Sequence, residues 1–230
     1  MPLPPAPIGP IRYEDKTIAI ILSEEDRARC YEYSGLRFIV NRTANNRDGA
    51  YREGRGALND FEGLLAEVAM WRVCGRDPFQ EKLILPYKEW KAKRATGLLL
   101  DVIGLEIRAT ALPTGKLVIH KDEPKDAAKV AANIPFVLAI VARSKWDPES
   151  VIRTGVAEVD ALLESRDLPH YDREVLFMGH FLGRDVERRH YFTETPKPDY
   201  FVPQDELRPM QDLADGRFLD EAQYLADFLP

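Results

Sequence analysis

Cysteine is scarce in this chain: Cys30 and Cys74 are the only two, far apart and without metal-ligand spacing, and they read as free thiols in a reducing cytosol. No apolar run reaches the roughly 18 residues of a membrane span. Met1-Pro-Leu-Pro-Pro lacks the charged start and apolar stretch of a secretory leader. These absences lead to the expectation of a cytoplasmic protein with no membrane partner. Net positive charge is missing as well, since 32 Lys and Arg stand against 38 Asp and Glu, a balance of −6. That excludes a protein that coats nucleic acid by charge alone; any such contact has to use a local basic patch or a metal. His120, His170, His180 and His190 show no metal-ligand spacing, and no Ser-His-Asp arrangement can be read from their order. Gly54-Arg-Gly56 is too short for a phosphate-binding glycine loop.

What is present fits an ordinary globular chain, with 45% hydrophobic and 30% charged residues over a length of 230, one domain or one domain with an appendage. Residues 1–12 are proline-rich and read as a disordered arm, 13–210 as one domain with a helical insertion at about 145–172, and 211–230 as a helical appendage. Lys16–Leu22 reads as a strand. Ser23-Glu-Glu-Asp26 has the form of a capping box, so a helix is expected from Glu24, with Tyr33, Leu36, Ile39 and Val40 at helical spacing. A second helix is predicted from about 57 to Val73, stopped by Gly75, with Glu62 on its exposed face. Strands are expected at about 97–102, 105–111 and 116–121 as a meander, with Pro113-Thr114-Gly115 as a turn. A short helix over 125–132 follows, then the apolar run Pro135–Ala142, typical of a strand buried on both faces. The last long strand is placed at 174–182, and Tyr200-Phe-Val-Pro203 opens a closing segment. In the terminal helices Leu219, Ala222, Leu225 and Phe228 form a pattern of core or of an interface, and the interface reading implies a homo-oligomer through these helices. The order implies an α/β (α+β-like) fold, a central mixed sheet of four to five strands flanked by helices.

The chemistry-bearing stretch is Leu98–Arg108. A two-residue turn at Ile103-Gly104 pairs Val102 with Leu105 and Asp101 with Glu106. Directly opposed residues share a face, with Cβ atoms about 5 Å apart. Two carboxylates so placed repel, and a fold that keeps them together usually sets a cation between them. Arg108 joins the same face by the strand period of two. Two acids and a base beside apolar strands suggest a site for a divalent metal and a phosphate. The other reading is a solvated hairpin end.

Glu67 lies in the second helix and leans over position 63, a glycine that costs roughly 1 kcal/mol of helix propensity. Gly63 is therefore expected to make room for a close approach by the sheet or a ligand, with Glu67 near the sheet. Alternatively, Glu67 is a boundary residue reaching water. In Tyr87–Arg94, Lys88, Lys91, Lys93 and Arg94 are placed to track a phosphate backbone and Trp90 to stack on a base. The preferred reading of that stretch is a helix turn with Trp90 packed and its lysines in water. His120 alternates with Val118, which assigns it to a core edge or the surface rather than to ligation.

Gly63-Leu-Leu-Ala-Glu67, then Asp101-x4-Glu106-Ile-Arg108, resembles the PD-(D/E)XK nuclease core, in which a helical glutamate precedes a strand hairpin bearing Asp and then Glu-x-Lys. The wider frame over about 20–210, with the strand Lys116–Ile119 ending at Asp122 and the late Tyr-Phe-Val-Pro, is similar to small members carried by bacterial viruses and mobile elements. The resemblance implies a restriction-endonuclease-like fold and hydrolysis of phosphodiester bonds in DNA, or RNA. It implies Mg²⁺ (or Mn²⁺) held by Asp101, Glu106, the Ile107 carbonyl and Glu67. The catalytic set would be Asp101, Glu106, Arg108 and Glu67. Arg108 stands where the family has lysine. A guanidinium cannot lose its proton and so cannot be a general base, but it can grip a phosphate bidentately. An alternative function is a nuclease-fold protein with a weakened site, serving as a nucleic-acid- or protein-binding module.

Overall fold

The computed structural model describes residues 10–43, 55–84, 102, 104–120, 123–188, 191–192 and 199–214. The proline-rich arm up to residue 9, Lys88–Arg94, Asp101 and the appendage beyond 214 lie outside them. The strands are β1 (Ile11–Glu14), β2 (Thr17–Ile21), β3 (Glu106–Thr110), β4 (Leu117–His120), β5 (Pro135–Arg143), β6 (Tyr171–Leu182), β7 (Tyr191–Phe192) and β8 (Asp199–Val202). The helices are α1 (Glu24–Thr43), α2 (Arg55–Val73), α3 (Pro124–Ala131), α4 (Ala157–Glu164) and the single turn α5 (Gln211–Ala214). A mixed five-stranded sheet has the order β1-β2-β6-β5-β3, and a three-stranded sheet the order β4-β8-β7. The expected α/β class with a central mixed sheet and flanking helices is what is found. No described helix is long and apolar enough to cross a membrane.

The chain divides into two compact units. The first holds residues 20–96 and 141–175 together with the N-terminal residues up to Ile11. Here α1 begins where the capping box predicts, with the Asp26 N–H donating to Ser23 Oγ at 3.0 Å. The helix does not bury the expected stripe: Leu36 and Val40 are exposed, whereas Cys30, Tyr31, Ser34 and Phe38 are buried. The buried face is the one that carries small residues. A Cβ on Gly35 would stand 2.6 Å from Val159 Cγ1, so glycine is what lets α4 approach α1. Tyr31 packs on Phe61 of α2 at 5.2 Å between ring centroids, and its hydroxyl oxygen accepts from the Tyr171 N–H at 2.9 Å. Glu62, expected on the exposed face, is buried instead. The Tyr171 hydroxyl donates to it at 3.0 Å and Arg143 stands 3.6 Å away, so its charge is satisfied inside. Arg72 bridges the buried Asp26 at 2.7 Å and Asp77 at 3.2 Å, tying α1 to the end of α2, where Gly75 turns the chain at φ +74°.

The second unit holds residues 12–19, 97–140 and 176–230. β5 is buried along nearly all its length, as its apolar run predicts, and pairs in parallel with β3 from Glu106↔Phe136 to Thr110↔Ile140. Residues 97–101 of the expected meander lie outside the described residues, and its third strand does not join β3. β4 leaves for the other sheet and pairs antiparallel with β8, Leu117↔Val202 to His120↔Asp199. The cause lies at the turn: the Gln204 side-chain amide donates to the carbonyls of Pro113 at 2.8 Å and Gly115 at 2.9 Å, fastening the turn beside the end of β8. Leu117, Ile119, Phe136, Leu138, Phe181, Tyr200 and Val202 then close one apolar cluster. The segment after β8 returns to β6, where His180 and Arg208 exchange backbone hydrogen bonds at 3.0 and 2.9 Å. Gly179 permits that approach, for a Cβ there would meet the Arg208 carbonyl at 2.6 Å.

Two outcomes follow for stability. The two helical glycines should respond with opposite sign. Among the described residues nothing lies within 4 Å of a Cβ built on Gly63, so the sheet makes no close approach there, and Gly63→Ala should raise stability by roughly 0.5–1 kcal/mol through helix propensity. Gly35→Ala should lower it by about 1–3 kcal/mol because the stiff Val159 cannot yield, with Val159→Ala relieving part of the loss; urea midpoints decide both. The second outcome concerns His180, whose pKa burial lowers, with Asp212 opposing and Arg208 reinforcing. Its unfolded value is about 6.5. Its contribution is therefore intact above that pH and lost as pH falls through the lower folded value. Urea unfolding of the wild type between pH 7 and 5 should lose more stability than His180→Gln; parallel curves would contradict the assignment.

Candidate functional site

Four charged side chains of the second unit form one alternating chain. It starts at the predicted turn. Leu105 N donates to Val102 O at 2.9 Å, and Gly104 supplies the positive φ, +65°, that such turns need. The turn delivers Glu106 as the first residue of β3, which stands last in the strand order. Glu106 and Arg108 share a face by the period of two, and Arg108 Nη1 lies 2.9 Å from Glu106 Oε1.

The crossover to β5 runs through α3. Pro124 occupies its first turn, where the missing N–H costs nothing. Asp126 and Lys129, three apart, lie on one face of that helix, and both are buried. Lys129 Nζ donates to Glu106 Oε2, and Arg108 Nη2 donates to Asp126 Oδ1. The charges therefore alternate: Lys129⁺, Glu106⁻, Arg108⁺, Asp126⁻. Glu106 is 2% exposed and Asp126 2%, so neither carboxylate is left to water. Arg108 is the open member, with 26% of its side chain exposed and its guanidinium 5.8 Å from the Phe136 ring centroid.

Asp126 carries the chain further. Its Oδ2 accepts from the His120 backbone N–H at 2.8 Å. The His120 ring, in turn, has Nδ1 2.9 Å from Asp199 Oδ1. His120, assigned by its alternation to a core edge or the surface, thus ends β4 as a carboxylate-paired imidazole.

The sequence-predicted residues distribute as follows. Glu106, Ile107 and Arg108 sit together on β3. Glu67 is a half-buried residue of the first unit, where its charge acts on the buried Cys30 thiol and helps hold that group's pKa above its usual value, after burial itself and Asp26. Asp101, Lys88, Trp90, Lys91, Lys93 and Arg94 lie outside the described residues. Lys129, Asp126 and Asp199 were not singled out from the sequence. A signal for the first two existed: the Asp-x-x-Lys of α3 is complementary in charge to the Glu-x-Arg of β3.

The implied divalent metal does not fit the described donors as they stand. Each Glu106 oxygen already holds a cation of the chain, each Asp126 oxygen accepts from Arg108 or His120, and no three His, Cys, Asp or Glu side chains among the described residues group as a cage. Asp101, the second acid of the expected pair, lies outside the described residues, and the cations on Glu106 among those described are Lys129 and Arg108. What this arrangement offers chemically is a partly exposed guanidinium held between two carboxylates and backed by a buried ion-pair lattice, a group whose chemistry suits phosphate oxygens.

No family model matches the chain, and neither a curated protein nor a solved structure matches it.

Removing one member of a buried pair strands the other. Lys129→Met should lower unfolding free energy by about 3–5 kcal/mol, and adding Glu106→Gln should return much of that loss. Guanidinium denaturation of the two single variants and the double variant measures the coupling; additive losses would show that Lys129 and Glu106 are not coupled.

Proposed function

We propose that this chain is a nuclease of restriction-endonuclease-like fold that hydrolyses phosphodiester bonds in DNA, with RNA as the second substrate. One observation carries the reading: the Glu106-x-Arg108 pair on β3, with the Lys129 ammonium brought to Glu106 by the following helix. The resemblance expects an acid and a lysine two apart on that strand. Here the strand carries arginine, and the ammonium arrives from α3 onto the same carboxylate.

In this reading Arg108 binds the phosphate. Its planar fork matches two non-bridging oxygens, and it stabilises the charge that builds on them during attack. Asp126 and Glu106 hold the guanidinium from two sides, which limits its motion and fixes the orientation of the bound phosphate. Lys129 pairs with Glu106 in a buried place. The Mg²⁺ (or Mn²⁺) of the resemblance enters no step of this account, and the dependence on it is read from the assay.

A second reading, a nucleic-acid- or protein-binding module, is favoured by the double occupation of Glu106 by Lys129 and Arg108. The experiment that separates the two is cleavage of single- and double-stranded DNA and of RNA, with and without Mg²⁺ or Mn²⁺. The nuclease reading expects cleavage that Arg108→Ala and Glu106→Ala each reduce by about 10²–10³-fold. Absence of cleavage under all conditions, with oligonucleotide binding retained, supports the module; equal cleavage by the variants removes Glu106 and Arg108 from the mechanism.

A further inference from the structure

Hydrolysis of a phosphodiester needs a group that takes a proton from the attacking water. Within the β3–α3 lattice no member is available. Arg108 stays protonated. Lys129 is an ammonium donating to Glu106, and the oxygens of Glu106 and Asp126 each carry a partner. The next group along the chain of contacts is His120.

Three observations single it out. Its pairing is imposed by sheet register, since His120 and Asp199 are Cα partners in the antiparallel β4–β8 ladder and such residues share a face. Its orientation is defined: with Asp199 ionised, Nδ1 carries the hydrogen and donates to Oδ1 at 2.9 Å, which leaves Nε2 as the basic nitrogen. Its exposure is graded the right way, for 44% of the imidazole side chain is accessible while the Asp199 carboxylate behind it is 11% exposed. The backbone of His120 is also tied to the phosphate anchor. One carboxylate, Asp126, receives Arg108 Nη2 on one oxygen and the His120 backbone N–H on the other. Movement of the guanidinium and of the end of β4 is thereby coupled through a single buried group.

We infer that His120 is the proton acceptor for the water that attacks a phosphodiester held on Arg108, and that Asp199 positions it. The inference rests on the nuclease reading above. As the water oxygen forms its bond to phosphorus, Nε2 takes one proton from it. The bond from phosphorus to the leaving oxygen breaks with its electron pair, that oxygen takes a proton from solvent, and the imidazolium returns its proton to solvent. Among the described residues the charged and titratable groups at His120 are Asp199 from β8, on the ring, and Asp126 from α3, on the backbone N–H, with Arg108 of β3 across Asp126.

The test uses the full chain in single-turnover cleavage of a DNA duplex, with a phosphorothioate-blocked duplex for affinity. His120→Ala should lower the cleavage rate about 10²–10⁴-fold with affinity unchanged, and added imidazole should restore cleavage in proportion to its concentration. Asp199→Asn should lower kcat and leave KM unchanged. His120→Gln, which keeps a polar side chain, should fail as His120→Ala does. Cleavage by His120→Ala equal to wild type, beside an inactive Arg108→Ala, overturns the inference and leaves the nuclease reading standing. Loss without imidazole rescue, accompanied by a lower denaturation midpoint, also overturns it, because a structural role behaves that way. If the wild type cleaves nothing, both readings fall together.

Discussion

Glu106 is a carboxylate taken out of water at the start of a strand, and the site around it is a consequence of keeping it charged there. An unpaired carboxylate so buried would cost several kcal/mol. Lys129 and Arg108 meet that cost from opposite sides, and Arg108 needs a counter-charge of its own, which Asp126 supplies. Each ion therefore has a reason to be where it is only because of its neighbour. The result is a row of alternating charges in which one cation, Arg108, keeps 26% of its side chain exposed.

The row also explains the path of the chain. The parallel pairing of β3 with β5 requires a crossover, and α3 is the crossover that carries Asp126 and Lys129 across to β3. β4, which precedes α3, is drawn to β8 by Gln204 and by the apolar cluster. His120 thereby ends its strand where its backbone reaches Asp126 and its ring reaches Asp199. The first unit uses the same device for another purpose. Arg72 between Asp26 and Asp77 locks two helix ends and presents little to solvent, so it serves architecture.

Features carried by local signals were legible in the sequence. Ser23 before three acids marks the start of α1, Gly104 marks the turn, Gly75 closes α2, and the unbroken apolar run at 135–142 marks a strand buried on both faces. What failed depended on partners far along the chain. Leu36 and Val40 looked like the buried stripe of α1, yet the helix turns inward the face that holds Gly35 and Ser34, because α4 comes close there. Glu62 looked like a surface residue because Tyr171, which accounts for its burial, is 109 positions away. The alternating charges of β3 were visible, but Lys129 as a partner of Glu106 was not. That lysine is 23 residues from Glu106, and only the complementary spacing of Asp-x-x-Lys on α3 pointed to it.

The central claim is that the Lys129–Glu106–Arg108–Asp126 row is where a phosphodiester is received. Side-chain NMR of the labelled arginines, lysines and histidines, during titration with a phosphorothioate-blocked DNA oligonucleotide, tests it most directly. The account predicts that the Arg108 guanidinium and the His120 imidazole shift first and together, with Lys129 following through Glu106. Unchanged Arg108 and His120 signals while other basic side chains shift would contradict it.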